Sequence, residues 1–245
     1  MSETGEQPNG LSVRLFGVGG GACRVLERLS EECPPELQVT AMDTDARELD
    51  RIRGISPVRL GKGLLRGLGC GGDAQAGRTA AESDRSLVSR ELEGADLVIL
   101  VACLGRGFGT GAAPVLAGLA GETGCPLVAI VSEPFEFEGS GPAAAAREAI
   151  VSLRKTADCV IVLPNDLLFQ VSEEEDRIDR LFESSDAWIL RAIHALTGPV
   201  FRPGSLPTDL ATFRQVIRGD ESRSLFSTCR VKSSDLMACS RANTA

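Results

Sequence analysis

Tyrosine is absent from this 245-residue chain, and histidine and tryptophan occur once each. With His194 standing alone and no tyrosine, no catalytic constellation supports a dinucleotide-dependent oxidoreductase. The eight cysteines (Cys23, Cys33, Cys70, Cys103, Cys125, Cys159, Cys229 and Cys239) include no C-x-x-C pair, so metal-ligand spacing is missing. Most are expected to be buried small apolar residues in a reducing cytosol. No apolar stretch approaches the length of a membrane span, and MSETGEQPNG at the N-terminus lacks a basic region followed by an apolar run. A cytoplasmic protein without a transmembrane segment is expected. A basic patch is lacking too: net charge is −8 and the cations are scattered among acids, which excludes a nucleic-acid footprint.

What is present is ordinary for a folded domain. Hydrophobic residues make up 43% and charged residues 24%, enough apolar matter to fill a core. The length suits one α/β domain with a short tail.

The chain alternates apolar runs with helical patterns. Ser12 to Val18 reads as a strand, and Gly17-Val18-Gly19-Gly20-Gly21 turns it into a helix through Leu26 and Leu29. Leu37 to Met42 is a second strand, Asp43-Thr44-Asp45 caps a helix, and Ile55 to Leu60 is a third strand candidate. A second glycine loop, Gly67 to Asp73, precedes a long polar helix from about Gly77 to Leu92. Asp96 to Leu104 is continuously apolar, the mark of a strand buried on both faces, and reads as the sheet centre. It runs into Gly105-Arg106-Gly107-Phe108-Gly109-Thr110-Gly111. Helix Ala112–Glu122, strand Leu127–Val131, helix Ala143–Lys155 and strand Cys159–Leu163 continue the rhythm. A helix or helix pair from Glu173 to Leu196 follows, ended by Arg202-Pro203-Gly204, and Leu225 to Val231 is a weak strand candidate. The pattern predicts an α/β fold with a Rossmann-like, doubly wound, mainly parallel sheet.

Three glycine-rich segments beside strands offer backbone N–H groups to phosphate. The Walker pattern is missing, because Lys62 precedes Gly63 where Ser or Thr should stand. A dinucleotide fingerprint is loosely permitted at Gly17 to Gly21, but its third glycine would be Ala22, and Asp43 or Asp45 would have to bind a ribose.

Gly105-Arg106-Gly107-Phe108-Gly109-Thr110-Gly111-Ala112-Ala113-Pro114, at the end of the central strand, resembles the signature loop of the tubulin/FtsZ family. Further matches follow in order: Asp43-Thr44-Asp45-Ala46, Arg66-Gly67-Leu68-Gly69, Gly77 to Glu82, Pro134 to Gly139 and Pro164-Asn165-Asp166. The resemblance covers roughly residues 12 to 219. It implies a GTP-binding domain over 12–198 after a disordered leader (1–11), a following loop and helix over 199–219, and a short remnant over 220–245. It also implies that Gly20, Gly21, Ala22, Cys23 and Arg24 form the first phosphate loop, with Gly107, Phe108, Gly109 and Thr110 in the signature loop. Glu138 matches a ribose contact and Asn165 a nucleotide-site asparagine; Phe182 and Asp186, four apart on one helix face, match the residues that stack on and hydrogen-bond guanine. The blander alternatives are a core phenylalanine at 182, a solvated acid at 186 and a turn residue at 165.

Departures from the family pattern accompany the matches. Ala22, Cys23 and Arg24 replace smaller or amide residues, and a Cβ at each narrows the phosphate space. Arg106 and Phe108 stand for a glycine and a threonine; Phe108 adds bulk beside the γ-phosphate position, and Arg106 either contacts phosphate or points to solvent. A basic run after Glu138-Gly139 is replaced by Ser140-Gly141-Pro142. The family's catalytic loop keeps only Asp209, with Pro207 and Thr212 in place of an asparagine and a second aspartate. The family's C-terminal domain is expected to be almost wholly missing, which puts standard filament geometry in doubt.

The resemblance therefore implies a protein that binds GTP or GDP, with magnesium accompanying the triphosphate. It implies self-assembly into nucleotide-linked filaments or association with an FtsZ-family partner, with weak or lost hydrolysis and Asp209 as residual catalytic acid. The alternatives are a non-hydrolysing cap or modulator of a true FtsZ filament and, from the residues alone, a dinucleotide-dependent enzyme.

Overall fold

A computed structural model describes residues 11–29, 37–170, 178–201 and 210–217. The strands are β1 (Val13–Val18), β2 (Leu37–Asp43), β3 (Ser56–Arg59), β4 (Leu97–Cys103), β5 (Leu127–Glu133) and β6 (Cys159–Pro164). They form one sheet in the order β3-β2-β1-β4-β5-β6, with every pairing parallel. Between them run α1 (Gly20–Leu29), α2 (Ala46–Arg51), α3 (Lys62–Leu65), α4 (Ala74–Ser83), α5 (Arg85–Leu92), α6 (Gly107–Thr123) and α7 (Ser140–Thr156); α8 (Ile178–Phe201) and α9 (Leu210–Ile217) follow the sheet. This is the doubly wound α/β architecture expected from the alternation of elements.

The apolar strands are continuous because both faces are covered. Phe16, Val18, Val98, Leu100, Ala102, Ala129 and Val131 point to one face, under Ala80, Val88, Leu116 and Leu153 from α4 to α7. Their neighbours Leu15, Leu97, Ile99, Val101, Val128 and Ile130 point to the other, under Val25 and Leu26 of α1 and Ile189 and Ile193 of α8. Alternate side chains of one strand thus serve two cores.

Two of the departures from the expected helix bounds bear on the architecture around the glycine run. The helix expected from Ala112 begins at Gly107, within the glycine run, so Gly107 to Gly111 are helical residues and not a loop. Gly77 and Gly111 lie where α4 crosses α6 at backbone contact: a Cβ on Gly77 would lie 2.8 Å from Phe108 Cα, and one on Gly111 would run into the Ala74 carbonyl. The long helix expected over Gly77 to Leu92 is broken at Asp84, which ends α4 and starts α5. Its carboxylate accepts a hydrogen bond from the Gly61 N–H at 2.6 Å, tying the β3–α3 turn to the break. Residues 1–10, the segment 202–209 that includes the expected helix stop and Asp209, and the strand candidate at Leu225 to Val231 lie outside the described residues.

Candidate functional site

β1 and β4 lie side by side, and the chain leaves their carboxyl ends in opposite directions across the sheet. In open α/β sheets a crevice forms at such a switch point. Here a cleft of about 1090 Å³ opens there.

Its first wall is built from the turn after β1. The Gly19 N–H donates to the Met42 carbonyl at 2.9 Å, and α1 starts at the next residue. The first internal bond of α1 runs from the Cys23 N–H to the Gly19 carbonyl, 3.0 Å. The amides of Gly20, Gly21 and Ala22 precede it, in the first turn, where N–H groups have no partner inside the helix. A second helix, α6, begins at the same crevice after Arg106, its N-cap residue. Two helix N-termini, each with partial positive charge, therefore face one space.

The two turns are pressed together by their glycines. A Cβ on Gly19, whose φ is +89°, would sit 2.9 Å from the Gly109 nitrogen, and a Cβ on Gly109 would sit 2.8 Å from the Val18 carbonyl oxygen. Gly109 is thus required by the protein's own backbone, whatever else approaches it.

At the other end stand α8 and the turns after β5 and β6. Glu138 accepts from the Phe135 N–H with Oε1 at 3.0 Å, and its Oε2 is 3.8 Å from the Arg106 guanidinium. Asn165 is buried, and its side-chain oxygen accepts from the Ser185 hydroxyl at 2.7 Å. Phe182 lies 43% exposed at the cleft, edge-on to Phe135 with ring centroids 5.3 Å apart. Asp186, one turn further along α8, forms an ion pair with Arg28 of α1 at 3.2 Å. Burial holds the Asp186 carboxyl above its ordinary value, and the positive charges of Arg28 and Arg24 pull it back.

Gly20, Gly21, Arg24, Gly107, Phe108, Gly109, Glu138, Asn165, Phe182 and Asp186 all border this cleft. Three other residues expected in the site do not. The Ala22 side chain is fully buried in the core between α1 and the sheet. Cys23 is equally buried; its thiol donates to the Gly17 carbonyl at 3.3 Å and its amide is spent inside the helix. Neither Cβ narrows the cleft, contrary to the expectation from sequence. Thr110 turns its hydroxyl back to the chain, accepting from the Gly105 N–H at 2.9 Å and donating to the Arg106 carbonyl at 3.1 Å. The Phe108 ring belongs to the core and is 4% exposed, so its bulk is taken up inside the protein. The Gly107 amide is also engaged, donating to the Gly72 carbonyl at 2.9 Å. Thr212 is in α9, and Asp209 lies outside the described residues.

Other groups at the cleft were not among the expected site residues, although Asp43 stands in a matched motif. Arg28 becomes visible only when α1 is laid against α8. Asp43 at the end of β2 is buried, with Oδ1 accepting from the Thr44 and Asp45 amides at 2.5 and 3.1 Å, and burial raises its carboxyl above the ordinary value. The Cys103 thiol, half-buried at the end of β4, is pushed up to about 11 by desolvation, so it is a neutral wall. Among the described residues no group of three or more His, Cys, Asp or Glu side chains could hold a metal ion, and no helix is long and apolar enough to cross a membrane.

The fold and site together are those of an α/β domain with an open parallel sheet, a cleft at its switch point and two helix N-termini opening on that cleft. Comparison with known proteins narrows the class. A family model described as the tubulin/FtsZ family, GTPase domain, matches residues 12–173. The cell division protein FtsZ of Buchnera aphidicola subsp. Acyrthosiphon pisum is 35% identical over 217 residues, covering 89% of this chain and 56% of that protein. FtsZ of Coxiella burnetii is 34% identical over 218 residues, with the same coverage of 89% and 56%. Among solved structures, an empty FtsZ dimer from M. jannaschii superposes with a TM-score of 0.81 at 29% identity, over 85% of this chain and 60% of that one. A GTPγS-bound protofilament of CetZ2 from Haloferax volcanii gives 0.66 at 25% identity, over 80% and 61%. The chain belongs to the tubulin/FtsZ family, whose GTPase domain it resembles in sequence and in fold. It spans a little over half the length of the curated relatives it matches.

Proposed function

We propose that this protein binds GTP and GDP in the cleft between β1 and β4 and uses the nucleotide to control head-to-tail assembly, with weak hydrolysis. One observation carries the reading: a single cleft joins two helix N-termini at one end to a carboxylate beside an exposed aromatic ring at the other. The free amides of Gly20, Gly21 and Ala22 and the first turn of α6 suit phosphate. Glu138 suits a ribose hydroxyl, Phe182 a base face, and Asp186 the N1 and N2 hydrogens that guanine has and adenine lacks. Asn165 takes a supporting place, fixing Ser185 beside Asp186.

Magnesium fits as a companion of the triphosphate, since that ion commonly keeps its waters and binds through phosphate oxygens. Asp209 is the residual acid for hydrolysis; a missing acid partner at Thr212 accounts for slow turnover, because a placed acid or base contributes about 10²–10⁴-fold.

Negative-stain imaging and phosphate release, each with GTP, GDP and no nucleotide, test the assignment. The expected result is assembly that depends on GTP with slow release of phosphate. Assembly indifferent to nucleotide would contradict the proposed control, and brisk turnover would contradict the weakened catalytic loop.

A further inference from the structure

Arg106 is the N-cap residue of α6, yet its side chain makes no cap hydrogen bond and stands 63% exposed at the cleft. The backbone on both sides of it is fixed. Gly105, at φ +119°, is wedged between two prolines: a Cβ there would lie 3.2 Å from Pro134 Cγ and from Pro142 Cβ. The Gly105 N–H donates to the Thr110 hydroxyl, and the Gly107 N–H to the Gly72 carbonyl. A long guanidinium arm therefore hangs over the cleft from a rigid base.

The same wall is poor in other side-chain donors, since the Phe108 ring lies in the core and the Thr110 hydroxyl is spent on the chain. Carboxylates outnumber guanidiniums along the cleft. Arg28 pairs with Asp186 at 3.2 Å, Arg47 pairs with Asp45 at 3.4 Å, and the charge of Arg24 acts on Asp186. Arg106 is the guanidinium at the α6 end. Its Nη2 is 3.8 Å from Glu138 Oε2, too long for a hydrogen bond, and an exposed pair at that distance contributes little. Glu138 is anchored through its other oxygen, Oε1, which accepts from the Phe135 N–H at 3.0 Å. Arg106 can leave Glu138 without displacing it.

Resting on the nucleotide reading above, we propose that Arg106 exchanges Glu138 for the terminal phosphate of GTP, and that this exchange releases Glu138 Oε2 to the ribose. A phosphate attracts the guanidinium more strongly than one carboxylate does, and its oxygens match the planar fork of donors. A nucleoside without phosphates leaves Arg106 where it rests, competing with the ribose hydroxyls for Oε2. Arg106 is thus a phosphate ligand and, through Glu138, a positioning residue for the sugar.

Calorimetric titration of the full chain tests the exchange, with GTP, 2′,3′-dideoxy-GTP, guanosine and dideoxyguanosine added to wild type, Arg106→Ala and Arg106→Lys. Arg106→Ala should melt like wild type without nucleotide, lose about tenfold toward GTP and keep its affinity for guanosine. Arg106→Lys, which keeps the charge, should recover part of the loss. In wild type the ribose hydroxyls should matter about two- to fivefold more in the triphosphate than in the nucleoside, and in Arg106→Ala they should matter equally in both. Arg106→Ala binding GTP like wild type, or losing GTP and guanosine equally, would overturn the phosphate contact and leave the guanine reading intact. Equal hydroxyl effects in wild type, with and without phosphates, would overturn the exchange. A wild type that binds GTP no better than guanosine would overturn the phosphate reading of the cleft as well.

Discussion

Two glycines of the cleft, equally prominent in the sequence, are expected to fail in opposite ways when a methyl group is added. At Gly109 the added Cβ would sit 2.8 Å from the Val18 carbonyl oxygen and 3.3 Å from that of Cys103. Both oxygens belong to central, parallel-paired strands, so neither end can retreat without disturbing the sheet. Overpacking of this kind costs about 1–3 kcal/mol, and the helix-propensity gain of up to about 1 kcal/mol recovers only part of it. A domain of this size melts about 2–4 °C lower per kcal/mol, so Gly109→Ala should melt several degrees below wild type. At Gly20 the added Cβ would lie 3.5 Å from Asp43 Oδ2 and 3.7 Å from Glu48 Oε2, ordinary contact at the cleft surface. Gly20→Ala should melt at or slightly above the wild-type temperature and yet bind mant-GDP about tenfold or more weakly, because phosphate must approach that backbone. Thermal melts without nucleotide, paired with mant-GDP titrations, separate the two. A Gly109→Ala protein as stable as wild type would refute the account of the β1–β4 seam. Unchanged binding by Gly20→Ala would refute the α1 turn as the phosphate cradle.

Acid should weaken guanine binding before it unfolds the protein. Burial raises the Asp186 carboxyl above its ordinary 3.8, so falling pH protonates it early and removes the acceptor. The sign for folding is opposite: a raised pKa in the folded state means tighter proton binding there, so Asp186 and Asp43 favour the fold as pH falls from their raised values toward 3.8. Affinity followed by titration from neutral to mildly acidic pH should drop while melting temperature shows no matching loss from these groups, and Asp186→Ala should flatten the binding profile. For hydrolysis, Asp209→Ala should abolish a slow phosphate release without altering GTP affinity. A turnover that ignores Asp209 would move the catalytic role elsewhere, with Glu136 and Arg106 the next to substitute.

The strands were legible because a parallel sheet covered on both faces writes itself as continuous apolar runs, and β1, β2, β4, β5 and β6 fall within a residue or two of the expected limits. The start of α6 was not, since five residues rich in glycine have low helix propensity and only contact with α4 and β1 makes them helical. The break at Asp84 was hidden for a similar reason: no glycine or proline marks it, and the partner of its carboxylate is Gly61, far away in sequence. Within the site, residues carried by contiguous motifs came to the cleft, but their orientation did not follow from motif position. Cys23 and Thr110 sit in matched motifs and turn inward, because a helix presents only one side to the crevice. Arg28 lies in no motif and reaches the cleft through the packing of α1 against α8.

The central claim is that the carboxylate at the base end of the cleft selects guanine. Equilibrium titration of the full chain with GTP, GDP and ATP under one buffer tests it most directly. The account expects GTP and GDP to bind with similar strength and ATP to bind at least about a hundredfold more weakly, since adenine leaves Asp186 facing a lone pair. Comparable affinity for ATP and GTP would contradict it.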